Sequence, residues 1–431
     1  MDIRGFDRRA FMKWAAALPL LSSIAAKEAY GHVLKAVGKP GSEDIYRRIG
    51  VRPLINARGT WTYLSGSLEL PEVQSAQQAA AMHFVDIVEL QHAVGRRLAE
   101  LSGAESGMIT SGAAGAMAAA TAACIAGSDP QKIWQLPDTT GLKQEVPMVG
   151  GRSAFDSAIR LAGGKLVLVY SEEELQNATN EKTAMIYTTS LGTRLEKQIA
   201  IAKAFKVPLL LDDAAGIPPI DNLRLYAKMG CDLYTFSGGK GLMGPQCSGI
   251  LLGRKDLIEA AIANCSPHEG AVCRPMKVGK EEIMGCLAAV EAWMHLDLGA
   301  LNREWKLRVE RIAKLAESVP GVTTKIQIPE SGNRYPTLTV NWDEPAFGLT
   351  VADCDKQLRD GEPRIEVLTA SNPSLVPAVH EGNPNPKAHR ERKNQLQIIS
   401  MTLQPGEDVI VGKRLREILS AARKRAGATA S

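Results

Sequence analysis

Between about residues 108 and 252, short apolar runs alternate with stretches of helical periodicity, and few architectures accept that pattern. Candidate strands are Met108–Thr110, Val146–Val149, Leu166–Tyr170, Ala184–Tyr187, Pro208–Leu211, Leu233–Phe236 and Gly249–Leu252. Helical patterns separate them at Ala113–Ala126, Ser153–Ala162, Glu172–Asn177, Glu196–Ala204 and Leu223–Met229. Runs that are apolar throughout suit strands covered on both faces, and helical crossovers return the chain to lay successive strands parallel. The expectation is an α/β domain built on a mostly parallel sheet.

After about residue 280 the pattern changes. One long helical segment, Lys280–Val319, leads to strands near Val322–Ile328, Thr337–Trp342, Ile365–Leu368 and Gln395–Met401, with helices at Val351–Arg359 and Asp408–Arg423. This reads as a smaller C-terminal α+β domain. The proline-rich, polar stretch Ser371–Asn394 reads as an exposed loop. Upstream, Leu54 and Ile55 lie in a strand-like segment, and Pro71 with Glu72 marks a helix start. The expected division is 1–30 as an export signal, 31–62 as an arm, 63–285 as the large domain, and 286–431 as the connecting helix with the small domain.

The N-terminal segment has a basic start, Arg8-Arg9-Ala10-Phe11-Met12-Lys13, followed by a modest apolar run to Ala26. The paired arginines resemble a twin-arginine export motif, which implies a periplasmic protein; without that motif the expectation is cytoplasmic. The apolar run is too short for a stable membrane anchor. Lys and Arg total 51 against 47 acidic residues, so the net charge of +4 gives no strong field for nucleic acid. Aromatics are 5% of the chain, which disfavours a base-stacking surface. The seven cysteines show no metal-binding spacing, and no metal is expected.

Three features stand in chain order. Thr110-Ser111-Gly112-Ala113-Ala114-Gly115 lies between a short strand and an Ala-rich helix, where free N–H groups and the helix dipole attract an anion. Asp212 closes the apolar run Val207–Leu211, at the strand end where α/β sheets bind ligands. Asp213 is the alternative, because adjacent strand residues point to opposite faces. Lys240 follows Ser237-Gly238-Gly239 just past another strand, and glycines let the backbone approach a flat group. An isolated Gly-Gly-Lys-Gly would be an ordinary solvated loop, and Gly241 after the lysine departs from a nucleotide-binding P-loop. Together the three supply what pyridoxal 5′-phosphate requires: an amine for its aldehyde, a carboxylate for its ring nitrogen and a cradle for its phosphate. Ser237 adds a hydroxyl to that cradle.

At this point the chain resembles the selenocysteine synthase-like branch of fold type I pyridoxal phosphate enzymes, most closely the group containing D-glucosaminate-6-phosphate ammonia-lyase. The resemblance runs from about Ile49 to Asp297. It rests on Ile55-Asn56-Ala57 with Gly59-Thr60, Phe84-Val85-Asp86 with Glu89-Leu90-Gln91, and the Thr110–Ala114 turn. It continues through Asp212–Pro219, Asp232–Lys240, Gly244–Arg254 and Arg274–Glu282.

The resemblance implies a Schiff base on Lys240, a ring-nitrogen contact from Asp212, and a homo-oligomer with sites at subunit interfaces. Arg274 and Lys277, and less directly Arg58 on the N-terminal segment, become candidates for binding a substrate anion. Where the family often has Gly-His-Arg before Tyr-Asp, this chain has Gly150-Gly151-Arg152-Ser153-Ala154-Phe155-Asp156. A histidine at 151 is therefore missing. His83, His92 and His295 read as packing or surface residues.

The expected reaction is a lyase reaction on a small amino acid or amino sugar acid, with Lys240 taking the α-proton and β-elimination giving a 2-oxo acid and ammonia. Racemisation and transamination use the same proton abstraction. Selenium transfer to charged tRNA is disfavoured by the near-balanced charge and the lack of a basic N-terminal domain. An inactive binding protein would have no need to keep lysine, acid and glycine loop together.

Overall fold

The computed structural model describes residues 44–329, 334–369 and 395–429. The export motif and the Ser371–Asn394 stretch lie outside the described residues. Among the described residues the strands are β1 (Leu54–Ala57), β2 (Ser106–Thr110), β3 (Glu145–Val149), β4 (Lys165–Val169), β5 (Ile186–Thr188), β6 (Leu209–Asp212), β7 (Leu233–Ser237), β8 (Gly249–Gly253), β9 (Thr323–Gln327), β10 (Thr337–Asn341), β11 (Arg364–Val367) and β12 (Leu396–Ile399). The helices that frame the site are α1 (Pro71–Ala81), α2 (Ile87–Ser102), α3 (Gly112–Ala126), α4 (Asn222–Met229), α5 (Lys255–Ala263), α6 (Lys280–Trp293) and α7 (Leu298–Glu317).

The central sheet runs β2-β8-β7-β6-β5. β5, β6 and β7 are parallel, while β8 lies antiparallel between β7 and β2. The pair β3-β4 is also parallel, and a parallel bridge from Glu145 to Thr183 carries it alongside β5. The reversal at β8 has a local cause. The chain leaves β7 at Ser237 and begins β8 at Gly249 without a crossover helix, so it returns beside β7 in the opposite direction. Two antiparallel steps leave β2 running the same way as β7. The carboxyl ends of β2, β5, β6 and β7 therefore share one edge.

Two apolar layers cover the sheet. Leu209, Leu211, Tyr234 and Phe236 face the core that includes α4 and α6, while Leu210, Leu233, Leu251 and Tyr187 face the core that includes α3 and α5. Among the described residues β2 has a strand on one side only. On the other, the buried Gln91 of α2 donates through Nε2 to the Ile109 carbonyl at 2.7 Å and accepts from Ile109 N at 3.0 Å. One side chain thus completes the ladder where a strand is missing, as buried backbone groups require.

The long helical segment expected over Lys280–Val319 is two helices bent by 94°. The break falls at Met294–Asp297, where Asp297 caps α7 by accepting from Ala300 N at 2.9 Å. α5 is absent from the sequence-based assignment because its apolar run is short. The C-terminal elements gather a separate core of Ile55, Val309, Leu338, Ile365, Leu396 and Leu415 around the sheet β12-β10-β9, and β1 pairs parallel with β11 in that same unit.

Candidate active site

The shared strand edge collects the three sequence features. Gly249 is the register partner of Thr110 on one side and of Ser237 on the other, so the ends of β2 and β7 lie two strand spacings apart across it. A Cβ at Gly249 would sit 2.3 Å from the Gly112 carbonyl carbon and 2.5 Å from Ala113 N. Only glycine lets the start of α3 settle onto the sheet here. Gly112 itself has φ +77°. The helix N-terminus has no side-chain cap hydrogen bond from Ser111, which leaves its leading N–H groups with no side-chain acceptor from that residue. Thr110 Oγ1 instead donates to the Gly112 carbonyl at 2.9 Å.

Alternation along β6 separates the two acids. Asp212 continues the face of Leu210, toward α3, and accepts from Tyr187 Oη at 3.1 Å and Ala214 N at 3.0 Å. Asp213 continues the face of Leu211, toward α4, and accepts from Tyr226 Oη at 2.6 Å. Asp212 is thus on the same side of the sheet as the Ser111–Gly112 turn. Burial pushes the Asp212 carboxyl above the usual aspartate range, against the pull of Ala214 N, Lys240 and Tyr187. Asp213 is pushed up by its own burial and by the Asp212 charge, and pulled down by the Tyr226 bond.

Lys240 sits on a tight turn beyond β7. Gly238 N donates to Ser248 O at 2.8 Å, Met243 N to Lys240 O at 3.0 Å, and Trp293 Nε1 of α6 to Leu242 O at 2.8 Å. The surrounding glycines are there because the chain passes too close for a side chain. A Cβ at Gly239 would lie 2.4 Å from Gln246 Cα, and one at Gly241 would lie 2.0 Å from the Ile217 carbonyl oxygen. Burial lowers the Lys240 amine from the usual lysine range, while Asp212 first and Asp213 second oppose that shift. Its Nζ lies 5.6 Å from the centroid of the Phe155 ring.

Phe155 and Tyr187 escaped the sequence reasoning. The departure from Gly-His-Arg at 150–152 pointed to a missing histidine. The fold instead turns a short 3₁₀ segment, Ala154–Asp156, so that Phe155 meets the lysine. Its ring is half exposed. Arg152 donates to both carboxylate oxygens of buried Asp156, which fixes that turn.

The structure distributes the anion-binding candidates differently. Arg274 is exposed and donates to Ser266 Oγ at 3.2 Å, and Lys277 is also exposed. Both lie on a segment whose Ser266, Met276 and Val278 pack beside Thr110 and Ser111, so they border the cradle rather than Lys240. Arg58 is fully buried, donates to the Val367 carbonyl at 2.8 Å, and has the Trp61 and Tyr63 rings 5.6 and 5.8 Å away. It ties the segment after β1 to β11, and a substrate anion reaches it only if its surroundings move. His92 lies 3.5 Å from Glu259 on the surface. Among the described residues no group of three or more His, Cys, Asp or Glu could hold a metal.

The donor set fits pyridoxal phosphate. An incompletely compensated buried carboxylate, an amine disfavoured as a cation, and a helix N-terminus without a side-chain cap line one face of the sheet. They suit a ring N–H⁺, an aldehyde and a phosphate dianion in turn.

Comparisons with known proteins agree. The aminotransferase class-V family model matches residues 161–303. D-glucosaminate-6-phosphate ammonia lyase of Salmonella typhimurium is 32% identical over 336 residues, which is 74% of this chain and 88% of that protein. The 5′-C-glycyluridine monooxygenase-decarboxylase of a Streptomyces species is 30% identical over 411 residues, 91% of this chain and 96% of that protein. A solved structure of D-glucosaminate-6-phosphate ammonia-lyase superposes with a TM-score of 0.72 at 29% identity, covering 88% of this chain and 99% of that one.

Proposed function

Because the chain belongs to the selenocysteine synthase-like fold type I pyridoxal phosphate enzymes, the group that contains D-glucosaminate-6-phosphate ammonia-lyase, we propose that it is an ammonia-lyase acting on a small amino acid or amino sugar acid. The observation that carries this reading is that the strand register brings the half-buried Lys240 turn after β7, Asp212 at the end of β6 and the turn into α3 after β2 to one edge of the sheet. The bound cofactor supplies an electron sink for charge developing at the substrate α-carbon.

This chain's residues do the rest. Lys240 would hold the cofactor aldehyde, and its Nζ, once released, would be the base for the α-proton, because burial disfavours its ammonium form. Asp212 keeps a negative charge toward the ring nitrogen, and Tyr187 fixes the orientation of that carboxylate. The N–H groups at Ser111, Gly112 and Ala113 would hold the phosphate, together with the Ser237 hydroxyl. Phe155 presents an aromatic face to the lysine side of the site. Arg274 and Lys277 offer cationic groups for a substrate carboxylate or phosphate near the cradle. The outcome is loss of a β-substituent and release of a 2-oxo acid with ammonia.

The chain is also proposed to act as a homo-oligomer. Met82, Phe84 and Val85, on the link between α1 and α2, are large apolar side chains left exposed in one copy, which supports that reading.

The test is a screen of D- and L-amino acids and phosphorylated amino sugar acids with the cofactor-loaded protein, measuring ammonia and 2-oxo acid separately. Equal amounts of the two support the lyase. A 2-oxo acid without ammonia points to transamination, and inversion without either product points to racemisation. The similarity to a monooxygenase-decarboxylase along nine-tenths of the chain favours a second reading, which the same screen separates by following oxygen uptake and carbon dioxide. Lys240→Ala should lose both the visible absorbance of lysine-bound cofactor and turnover. A yellow, fully active variant would overturn the assignment of Lys240.

A further inference from the structure

Cys265 and Cys273 face each other across an isolated parallel β-bridge at the edge of the site. Cys273 N donates to the Asn264 carbonyl at 3.2 Å and holds the two strands of this turn together. Bridge partners stand about 4.8 Å apart, inside the roughly 4.4–6.8 Å between Cα atoms that a disulfide accepts. Cys273 is fully buried, and Cys265 is half-buried at the surface end of the pair. Packing alone asks only for two small side chains; it does not ask for two sulfurs in register.

We propose that Cys265 and Cys273 form a reversible disulfide that closes the 265–273 turn and fixes the Arg274 segment against the Thr110–Ser111 loop. Cys265, Ser266, Cys273, Met276 and Val278 line a cavity of about 20 Å³ together with Thr110, Ser111 and Gly115. A bond between the sulfurs therefore constrains the layer directly beneath the phosphate cradle.

The oxidant is an organic disulfide. The Cys265 thiolate attacks one of its sulfurs and expels a thiolate. The Cys273 thiolate then attacks the Cys265 sulfur of the mixed disulfide and expels the second. The two protein thiols give up two protons and two electrons, and the reagent becomes two thiols. The neighbouring Cys273 thiol and burial push the Cys265 thiol well above the usual cysteine range. Exchange is accordingly slow at neutral pH and quickens as pH rises.

The test uses the cofactor-loaded protein incubated with oxidised glutathione near the ordinary thiol pKa of about 8.5. Peptide mapping without reduction should yield one linked pair, Cys265 with Cys273, that disappears on reduction. A loop this short implies a rise of about 3 °C in the unfolding midpoint of the oxidised protein. Cys265→Ser should abolish both the linked peptide and the rise, and Cys273→Ala serves as the second variant if the first does not fold. Recovery of both cysteines as free thiols or glutathione adducts overturns the proposal. So does an unchanged rise in either variant.

Discussion

The bond from Tyr187 Oη to Asp212 Oδ2 offers the sharpest test of how the site holds its charge. At 3.1 Å it is one of two hydrogen bonds that stabilise the ionised carboxylate, the other coming from Ala214 N. Tyr187→Phe removes the hydroxyl and keeps the ring that packs against Met148 and Leu210 in the α3-side core. A hydrogen bond to a charged group contributes about 1.5–3 kcal/mol. At about 1.36 kcal/mol per unit, its loss raises the Asp212 pKa by roughly 1–2 units. The starting value already lies above the ordinary one because of burial, so the two effects act in the same direction. On the role proposed for Asp212, activity needs the ionised carboxylate, so the acid limb of the pH–rate profile should move upward by that amount while the alkaline plateau changes little. The assay follows ammonia release across pH with the best substrate of the screen, for wild type and variant. Stability carries a related sign. Asp212 binds its proton more tightly folded than unfolded, so its contribution is intact below the ordinary aspartate range and is lost as pH rises through the folded value. The variant extends that loss to higher pH. An acid limb that stays in place, with the variant folded and loaded with cofactor, would refute the assignment of Asp212 as the essential charge.

Gly241→Ala places a Cβ 2.0 Å from the Ile217 carbonyl oxygen, a backbone atom that cannot rotate away. Overpacking of this kind costs about 1–3 kcal/mol or more, and because it displaces the lysine turn, retained cofactor absorbance should fall together with the melting temperature. Gln91→Leu leaves the Ile109 N–H and carbonyl unpaired in the interior. With about 1–3 kcal/mol for each of the two orphaned groups, denaturant titration should show a loss of roughly 2–6 kcal/mol. An unchanged midpoint would mean that water or a neighbouring strand takes over the role of Gln91.

What the sequence made legible is what short-range pattern encodes. The continuous apolar runs of β6 and β7 mark strands buried on both faces. Asp212 stands out because an acid ends such a run, and Lys240 because glycines crowd it where the next strand has not yet begun. These are local contrasts, and local contrast is what periodicity detects. The direction of β8 was encoded less openly. The eleven residues between Ser237 and Gly249 carry turn signals rather than helical ones, and that alone distinguishes an antiparallel return from a crossover. The break between α6 and α7 was similarly available in Asp297, a capping residue set within an otherwise helical pattern.

Phe155, Tyr187 and the burial of Arg58 could not be reached in that way, because each depends on contacts between distant parts of the chain. Phe155 meets Lys240 only after β3, β6 and β7 have been ordered in the sheet; in sequence it is an aromatic residue in a polar turn. Tyr187 lies on β5 and looks like core until the parallel register sets Thr188 beside Leu211, which brings the hydroxyl of its neighbour to Asp212. The choice between Asp212 and Asp213 had the same character. Both end one strand, and only the identity of the helices on each face tells them apart: α4 brings Tyr226 to Asp213, while α3 brings the glycine turn to the face of Asp212. Arg58 looked available for a substrate because it is charged and lies on an N-terminal arm. The parallel pairing of β1 with β11 buries it under Val367 instead, where the same guanidinium fastens one end of the small unit to the chain that enters the site. A charged residue's position in sequence therefore says little about its access to ligand until the partner of its strand is known.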